Sequence, residues 1–145
     1  GKLYTYRIHN APHPSALYRN LTAHVPVALD DRLMHQAAQR LLGTHDFAAF
    51  AAAGGSAKTT VRTLDYLSVR REGAEIEMQV HGNAFLYNMV RIIAGTLIGV
   101  GQGKLPPDCL ARALESKNRL DLGVTAPAHG LELTRVEYAF EKKGI

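Results

Sequence analysis

The fold is decided by residues 61–101, which read VRTLDYLSVRREGAEIEMQVHGNAFLYNMVRIIAGTLIGVG. Residues 61–71 are rich in β-branched and apolar side chains and predict a strand, and the pair at 72–73 predicts a tight turn. Residues 76–80 then alternate between apolar and polar side chains, which predicts a second strand with one face toward water. The stretch therefore begins with a β-hairpin.

A long apolar helix follows the hairpin. Asn83 is a plausible N-cap, and the spacing predicts a helix over residues 84–101 that is apolar around most of its circumference and therefore buried. The remaining stripe, which consists mainly of small residues that let another backbone approach closely, is formed by Ala84, Asn88, Arg91, Gly95 and Gly99. A buried guanidinium needs a polar partner, so we expect Arg91 to face a carboxylate or a phosphate. The alternative is an arginine whose stem packs while its head reaches water at a groove.

The flanking segments complete one α+β domain over residues 1–145. In chain order we predict a strand at 3–9, a helix at 33–42 between an Asp30 N-cap and Gly43, a flexible surface loop at 51–57, a short helix at 107–115 and a strand at 131–138. With the hairpin and the long helix, the order is β-α-β-β-α-β. This is the ferredoxin-like split βαβ pattern, an antiparallel sheet with helices on one face.

Composition excludes several classes of protein. The 145 residues are 46% apolar and 21% charged, which is typical of a globular chain and not of a disordered or fibrous one. A single cysteine, Cys109, excludes a disulfide framework and fits a reducing, cytoplasmic compartment, and the seven scattered histidines form no predicted metal site. The most apolar window, residues 85–100, is interrupted by polar residues and is too short to cross a membrane. Lys and Arg number 17 against 13 Asp and Glu, a mild basic excess that is compatible with nucleic acid.

Two sets of residues are candidates for RNA contact. Tyr4 and Tyr6 lie on one face of the first strand, where aromatic rings can stack on bases, although such a pair more often serves core and edge packing. The candidate phosphate contacts are the basic residues Lys58, Arg62, Arg70 and Arg71. The alternative for these four is an ordinary charged surface hairpin.

Five runs of the sequence together carry a family resemblance. They are Lys2-Leu3-Tyr4-Thr5-Tyr6, Leu41-Leu42-Gly43-Thr44-His45-Asp46-Phe47, Thr60-Val61-Arg62-Thr63, Gly82-Asn83-Ala84-Phe85-Leu86-Tyr87-Asn88-Met89-Val90-Arg91 and Thr125-Ala126-Pro127-Ala128-His129-Gly130-Leu131. In order and spacing, over nearly the whole chain, they resemble the bacterial tRNA pseudouridine synthase A family.

The resemblance implies isomerisation of uridine to pseudouridine in the anticodon stem-loop of tRNA, without a metal or an organic cofactor. In the family an aspartate attacks a flipped-out nucleotide, and the base detaches, rotates and rejoins through carbon. Tyr4 matches the tyrosine that stacks on the target base and is a candidate for proton removal, and Arg91 matches the arginine that pairs with the catalytic aspartate. Phe85 and Asn88, in the same run as Arg91, are expected to contact the substrate. The resemblance also implies a homodimer.

One part of the family pattern is missing. The nucleophile lies in an Arg-Thr-Asp-Ala-Gly-Val-His run within an N-terminal half, and no such run occurs here. The chain also starts with Gly1, so we expect it to be the C-terminal half of a longer polypeptide, inactive on its own, with tRNA and the N-terminal half as partners. Without that half, Arg91 should be exposed or should take its partner from water, an anion or a neighbouring chain. The alternatives are a non-catalytic RNA-binding or dimerisation module on this scaffold, or a small-molecule-binding ferredoxin-like domain.

Overall fold

The structure of the chain is a computed structural model that describes residues 1–52, 55 and 57–137. Within these residues it contains three helices and one six-stranded sheet. In chain order the elements are β1 (Lys2–His9), β2 (Ala23–His24), α1 (Asp31–Ala38), β3 (Gly43–Asp46), β4 (Val61–Glu72), β5 (Glu75–Gly82), α2 (Met89–Gly101), α3 (Cys109–Ser116) and β6 (Leu131–Val136).

The sheet confirms the ferredoxin-like prediction. Four strands lie side by side in the order β6-β1-β5-β4, each antiparallel to its neighbour, with α1 between β1 and β4 and α2 between β5 and β6 along the chain. Two short strands extend this unit. β3 pairs with β4 at one edge, and the two-residue β2 runs parallel to the end of β1, which makes the sheet mixed rather than wholly antiparallel.

The core lies on one face of the sheet. α1 packs against β4 and α2, and α2 also contacts β1. Side chains alternate between the two faces along each strand. The strand residues buried toward the helices are Tyr6, Ile8, Leu67, Val69, Ile76, Met78 and Val80. The opposite face is polar, as the alternation at 76–80 predicted: Arg7 there forms ion pairs with Glu77 and Glu132.

The long helix starts later than predicted. α2 begins at Met89 rather than Ala84, so the prediction of Asn83 as its N-cap is wrong. The Asn83 side-chain oxygen instead accepts hydrogen bonds from the backbone amides of Thr63 and Ala84, which ties the chain leaving β5 to the start of β4. Asn88 adopts a left-handed conformation (φ 60°) immediately before the helix, a geometry that asparagine tolerates better than most residues. None of the helices in the described ranges is long and apolar enough to cross a membrane.

The other element bounds differ by a few residues. Asp30 caps α1 as predicted, through its side chain and the backbone amide of Leu33, but the helix ends at Ala38 and a 3₁₀ turn follows it. Gly43, predicted to stop the helix, has φ 101° and opens β3. α3 begins at Cys109, two residues after its predicted start.

Two predictions touch residues that the structure does not describe. The predicted loop at 51–57 and the end of the predicted strand at 131–138 lie partly outside the described ranges. The tight turn, predicted at 72–73, lies one residue later because β4 includes Glu72.

Candidate active site

Arg91 lies in the first turn of α2 and is half-buried. Its Nε donates a hydrogen bond to the carbonyl oxygen of Ala126 (2.8 Å), and its Nη1 donates to the side-chain oxygen of Asn88 (3.2 Å). Among the described residues no carboxylate lies within ion-pair distance of the guanidinium, and Nη2 makes no hydrogen bond. Arg91 is therefore oriented by its own chain while its charge has no counter-ion there.

Tyr4 lies half-buried on the helix-facing side of β1. Its ring meets that of Phe85 edge to face, with centroids 5.0 Å apart and planes at 87°. Such aromatic pairs fix ring orientation. Phe85, predicted to contact substrate, thus holds Tyr4 in place and leaves part of the tyrosine surface accessible.

Tyr6, two residues further along β1, is completely buried. Its hydroxyl donates a hydrogen bond to the carbonyl oxygen of Pro127 (2.6 Å). Burial raises the pKa of Tyr6 well above its ordinary value, although the nearby positive charge of Arg91 acts in the opposite direction. Tyr6 is therefore a neutral, fixed part of the core, so only Tyr4 of the two tyrosines offers accessible ring surface.

The four candidate phosphate contacts are divided between two ends of β4. Lys58 is exposed just before the strand, and Arg62 is half-buried at its second residue. Arg62 Nη1 donates to the backbone oxygens of Thr59 (2.8 Å) and Val61 (2.7 Å), while its buried Nε has no partner among the described residues. The backbone hydrogen bond from Asn83 to Thr63 joins this end of β4 to the segment that carries Phe85 and Asn88.

Arg70 and Arg71 lie at the other end. Arg70 lies eight positions after Arg62 along the extended strand, which is roughly 26 Å. Arg71 donates four hydrogen bonds, which go to Asp31, Gly73, Asn10 and the carbonyl oxygen of Leu29. Arg71 thus joins β4 to α1 and to the segment after β1. The exposed Arg70 lies opposite Glu77 in the β4–β5 register.

Acidic groups dominate the helix-free face of the sheet around Arg70. The carboxylates that lie on or against this face are Asp65, Glu72, Glu75, Glu77, Glu132 and Glu137. The arginines there are Arg7, Arg70 and Arg135. The face is therefore a poor surface for a phosphate backbone, since its charges largely cancel or are negative.

Asp46, in one of the runs that carry the family resemblance, makes three contacts through its side chain. It accepts a hydrogen bond from the backbone amide of Ala48 and another from the Thr60 hydroxyl, and it lies 3.4 Å from Lys117 Nζ. The Thr60 hydrogen bond is the main cause that lowers the pKa of Asp46. Asp46 and Thr60 stand at the two ends of the segment that carries Lys58. Sequence patterns could not predict the hydrogen bond between Asp46 and Thr60, because the two residues are 14 positions apart in the chain.

The described residues contain no group of three or more His, Cys, Asp or Glu side chains placed to hold a metal ion. The groups that this region offers are a guanidinium with an unused donor, an accessible tyrosine ring and the basic side chains near the start of β4.

Comparison with known proteins identifies the family. A family model for tRNA pseudouridine synthase matches residues 37–139. The chain is 50% identical over 138 residues to tRNA pseudouridine synthase A of Acetivibrio thermocellus, which covers 95% of this chain and 57% of that protein. The enzyme of the same name from Geotalea uraniireducens is also 50% identical over 138 residues, and that from Paramagnetospirillum magneticum is 47% identical over 139. The chain spans a little over half the length of these relatives. It belongs to the tRNA pseudouridine synthase family.

Proposed function

We propose that this chain forms the C-terminal half of a tRNA pseudouridine synthase and supplies Arg91 and Tyr4 to an active site whose nucleophilic aspartate lies on the N-terminal half. One observation carries the proposal: Arg91 is held by Ala126 and Asn88 but has no carboxylate among the described residues. A half-buried guanidinium is costly without a counter-ion. The resemblance supplies the missing group, the catalytic aspartate.

In this proposal each residue acts on a definite group. Arg91 offers its remaining N–H donors to the aspartate and keeps that carboxylate ionised and aimed at the flipped-out nucleotide. Tyr4, oriented by Phe85, stacks on the uracil and is the candidate for removing the proton that the base loses when it rejoins through carbon. Asn88 positions Arg91 instead of touching the substrate directly.

The proposed phosphate contacts are concentrated near the start of β4. Lys58 and Arg62 lie toward the end that carries Phe85 and Asn88, whereas Arg71 uses its donors within the chain and Arg70 lies among carboxylates. Lys58→Ala should therefore weaken tRNA binding and reduce its salt dependence. Arg70→Ala is the matched control, and an equal loss of binding in both variants would contradict this assignment.

Assembly and location are part of the same proposal. The family resemblance favours a homodimer in the cytoplasm. Three exposed apolar side chains within five residues, Leu17, Tyr18 and Leu21, give the chain surface suited to a protein contact. Sedimentation equilibrium of the chain measures its oligomeric state directly, and a monomer at all concentrations would contradict the dimer for this half.

A chimera tests the proposed activity. This chain replaces the matching 57% of the Acetivibrio thermocellus protein, and tritium release is measured from tRNA labelled at C5 of uridine. We expect release by the chimera and none by the chain alone. Turnover by the chain alone, or an inactive chimera that is folded and binds tRNA, would contradict the proposal.

A further inference from the structure

A short segment between α3 and β6 crosses the buried helix α2 and contacts Arg91. We call residues 123–127 the strap. Its passage depends on Gly95, because a methyl group at that position would overlap the carbonyl oxygen of Val124. Gly123 also lies against the backbone of Thr96 and Gly95. The small residues that were predicted to allow a close backbone approach at α2 therefore accommodate the strap.

The strap is hydrogen-bonded to Arg91, the residue on which the active-site proposal depends. The Ala126 amide donates to the carbonyl oxygen of Arg91 (3.0 Å), and the Ala126 carbonyl accepts from Arg91 Nε (2.8 Å). The next carbonyl, that of Pro127, accepts the hydroxyl of the buried Tyr6. The position of the strap thus determines where the guanidinium of Arg91 points.

Two side chains hold the other end of the strap. The Thr96 hydroxyl accepts a hydrogen bond from the Gly123 amide (2.9 Å). Arg119 donates twice: Nη1 to the carbonyl oxygen of Gly123 (2.7 Å) and Nη2 to the hydroxyl of Thr125 (3.3 Å). Both hydrogen bonds of the Arg119 side chain thus go to the strap. No carboxylate among the described residues lies within ion-pair distance of Arg119.

We infer that Arg119 is a positioning residue for Arg91. It acts through the strap: its guanidinium fork fixes Gly123 and Thr125, and the strap then presents the Ala126 carbonyl to Arg91 Nε. A lysine cannot reproduce this, because an ammonium is a point charge without the planar fork that spans two acceptors. The catalytic consequence rests on the proposed function, whereas the structural link does not.

The structural link is tested on the chain itself by nuclear magnetic resonance. The observable is the Nε–H signal of Arg91, through its chemical shift and its rate of exchange with water. Arg119→Lys should accelerate this exchange about tenfold. A hydrogen bond from a charged donor disfavours the open, exchanging state of the N–H group by about that factor or more, and the substitution weakens this bond. Gly95→Ala should have the same effect by displacing the strap from α2.

Two matched variants control for general destabilisation. Arg112→Lys changes an arginine of α3 that pairs with Asp108 on the surface. Gly101→Ala makes the same change as Gly95→Ala six residues further along α2, where the new methyl group first meets the flexible side chain of Met34. Both controls should leave the Arg91 signal unchanged. If Gly95→Ala does not fold, Arg119→Lys alone decides the inference.

The chimera separates this inference from the proposed function. In a chimera that is active with the unchanged chain, Arg119→Lys should lower kcat about tenfold and leave KM for tRNA within about twofold, because Arg119 acts on the orientation of Arg91 and not on substrate binding. An unchanged Arg91 signal in folded Arg119→Lys overturns the inference whatever the activity. An altered signal with unchanged kcat also overturns the positioning role. A chimera with the unchanged chain that folds and binds tRNA but is inactive overturns the proposed function, and the Arg91 signal still decides the structural link.

Discussion

Two arginines on different elements of the fold were both predicted to be functional, and the structure gives them different surroundings. Arg71, at the end of β4, pairs with Asp31 at 2.9 Å and donates to three further oxygens. Arg91, at the start of α2, donates to two neutral oxygens and has no counter-ion in the described residues. Both side chains are partly shielded from water.

The difference lies in the charge balance and not in burial. The guanidinium of Arg71 stabilises the fold: a carboxylate of its own chain neutralises its charge, and three further oxygens accept its remaining hydrogen bonds. A guanidinium that is oriented but lacks a counter-ion remains able to bind one from another chain or from a ligand. The comparison implies that substitutions at Arg71 should act on stability and substitutions at Arg91 on activity.

The largest expected effect is on turnover at Arg91. Arg91→Lys in the chimera should lower kcat about 1,000-fold, because a lysine cannot hold Ala126 and Asn88 and also present a fork to the aspartate. The free energy of unfolding of the chain should fall by only about 1.5 kcal/mol, the contribution of one hydrogen bond from a charged donor, because the lysine ammonium can keep one of the two bonds. Tritium release and urea denaturation measure the two quantities. Near-normal turnover in a folded Arg91→Lys chimera would contradict the distinction from Arg71.

Tyr4 provides the next effect. Tyr4→Phe keeps the edge-to-face contact with Phe85 and the stacking surface but removes the hydroxyl, so turnover should fall about 100-fold if that group moves the proton. Tyr4→Leu should in addition weaken tRNA binding, because the stacking surface is lost. Unchanged turnover in Tyr4→Phe would remove Tyr4 from proton transfer and leave it as a stacking residue.

Arg71 should show the opposite pattern. Arg71→Ala removes an ion pair and three further hydrogen bonds, but both partners of the ion pair are partly exposed (27% and 29%), so screening limits the loss. We expect the free energy of unfolding to fall by about 1.5 kcal/mol. Turnover of the folded chimera should stay within about twofold, because Arg71 does not touch the proposed site. A loss of tRNA binding without loss of stability would restore Arg71 as a phosphate contact.

The sequence predicted those features that are periodic or that sit at the ends of elements. The four long strands, the Asp30 cap and the close approach at Gly95 all follow from spacing and residue type. β2 and β3 are too short to show a period, and β3 lies where a helical pattern had just ended. The start of α2 was missed because Asn88 takes a left-handed conformation that apolar periodicity cannot reveal.

Partners far apart in sequence account for the rest of the site. The need of Arg91 for a polar partner could be predicted from its apolar helix, whereas the identity of that partner could not, because Ala126 is 35 residues away. Arg119 lies in a turn with no periodic pattern, so nothing marked it as different from a surface arginine. The roles of Tyr4 and Phe85 remain predictions from the resemblance, and that of Lys58 remains a prediction from its charge.

The smallest expected effect concerns a carboxylate on the helix-free face. His81 lies between Asp65 and Glu137, with its Nδ1 facing Asp65 and its Nε2 at 3.0 Å from Glu137. The hydrogen bond with His81 is the main cause that lowers the pKa of Asp65 from its ordinary value of 3.8. Asp65 is exposed, so Asp65→Asn should reduce the free energy of unfolding by only about 0.5 kcal/mol at neutral pH.

The sign of the pH dependence follows from that lowered pKa. A carboxyl group with a lower pKa in the folded than in the unfolded chain stabilises the fold fully above 3.8 and loses this contribution as the pH falls through the folded value. The stability curves of Asp65→Asn and the unchanged chain should therefore converge as the pH is lowered through that range. Glu72→Gln, on the same strand, is the control, because Glu72 forms no ion pair within the described residues. A constant difference between the Asp65→Asn and unchanged curves at all pH values would mean that the substitution acts through packing and not through the charge of Asp65.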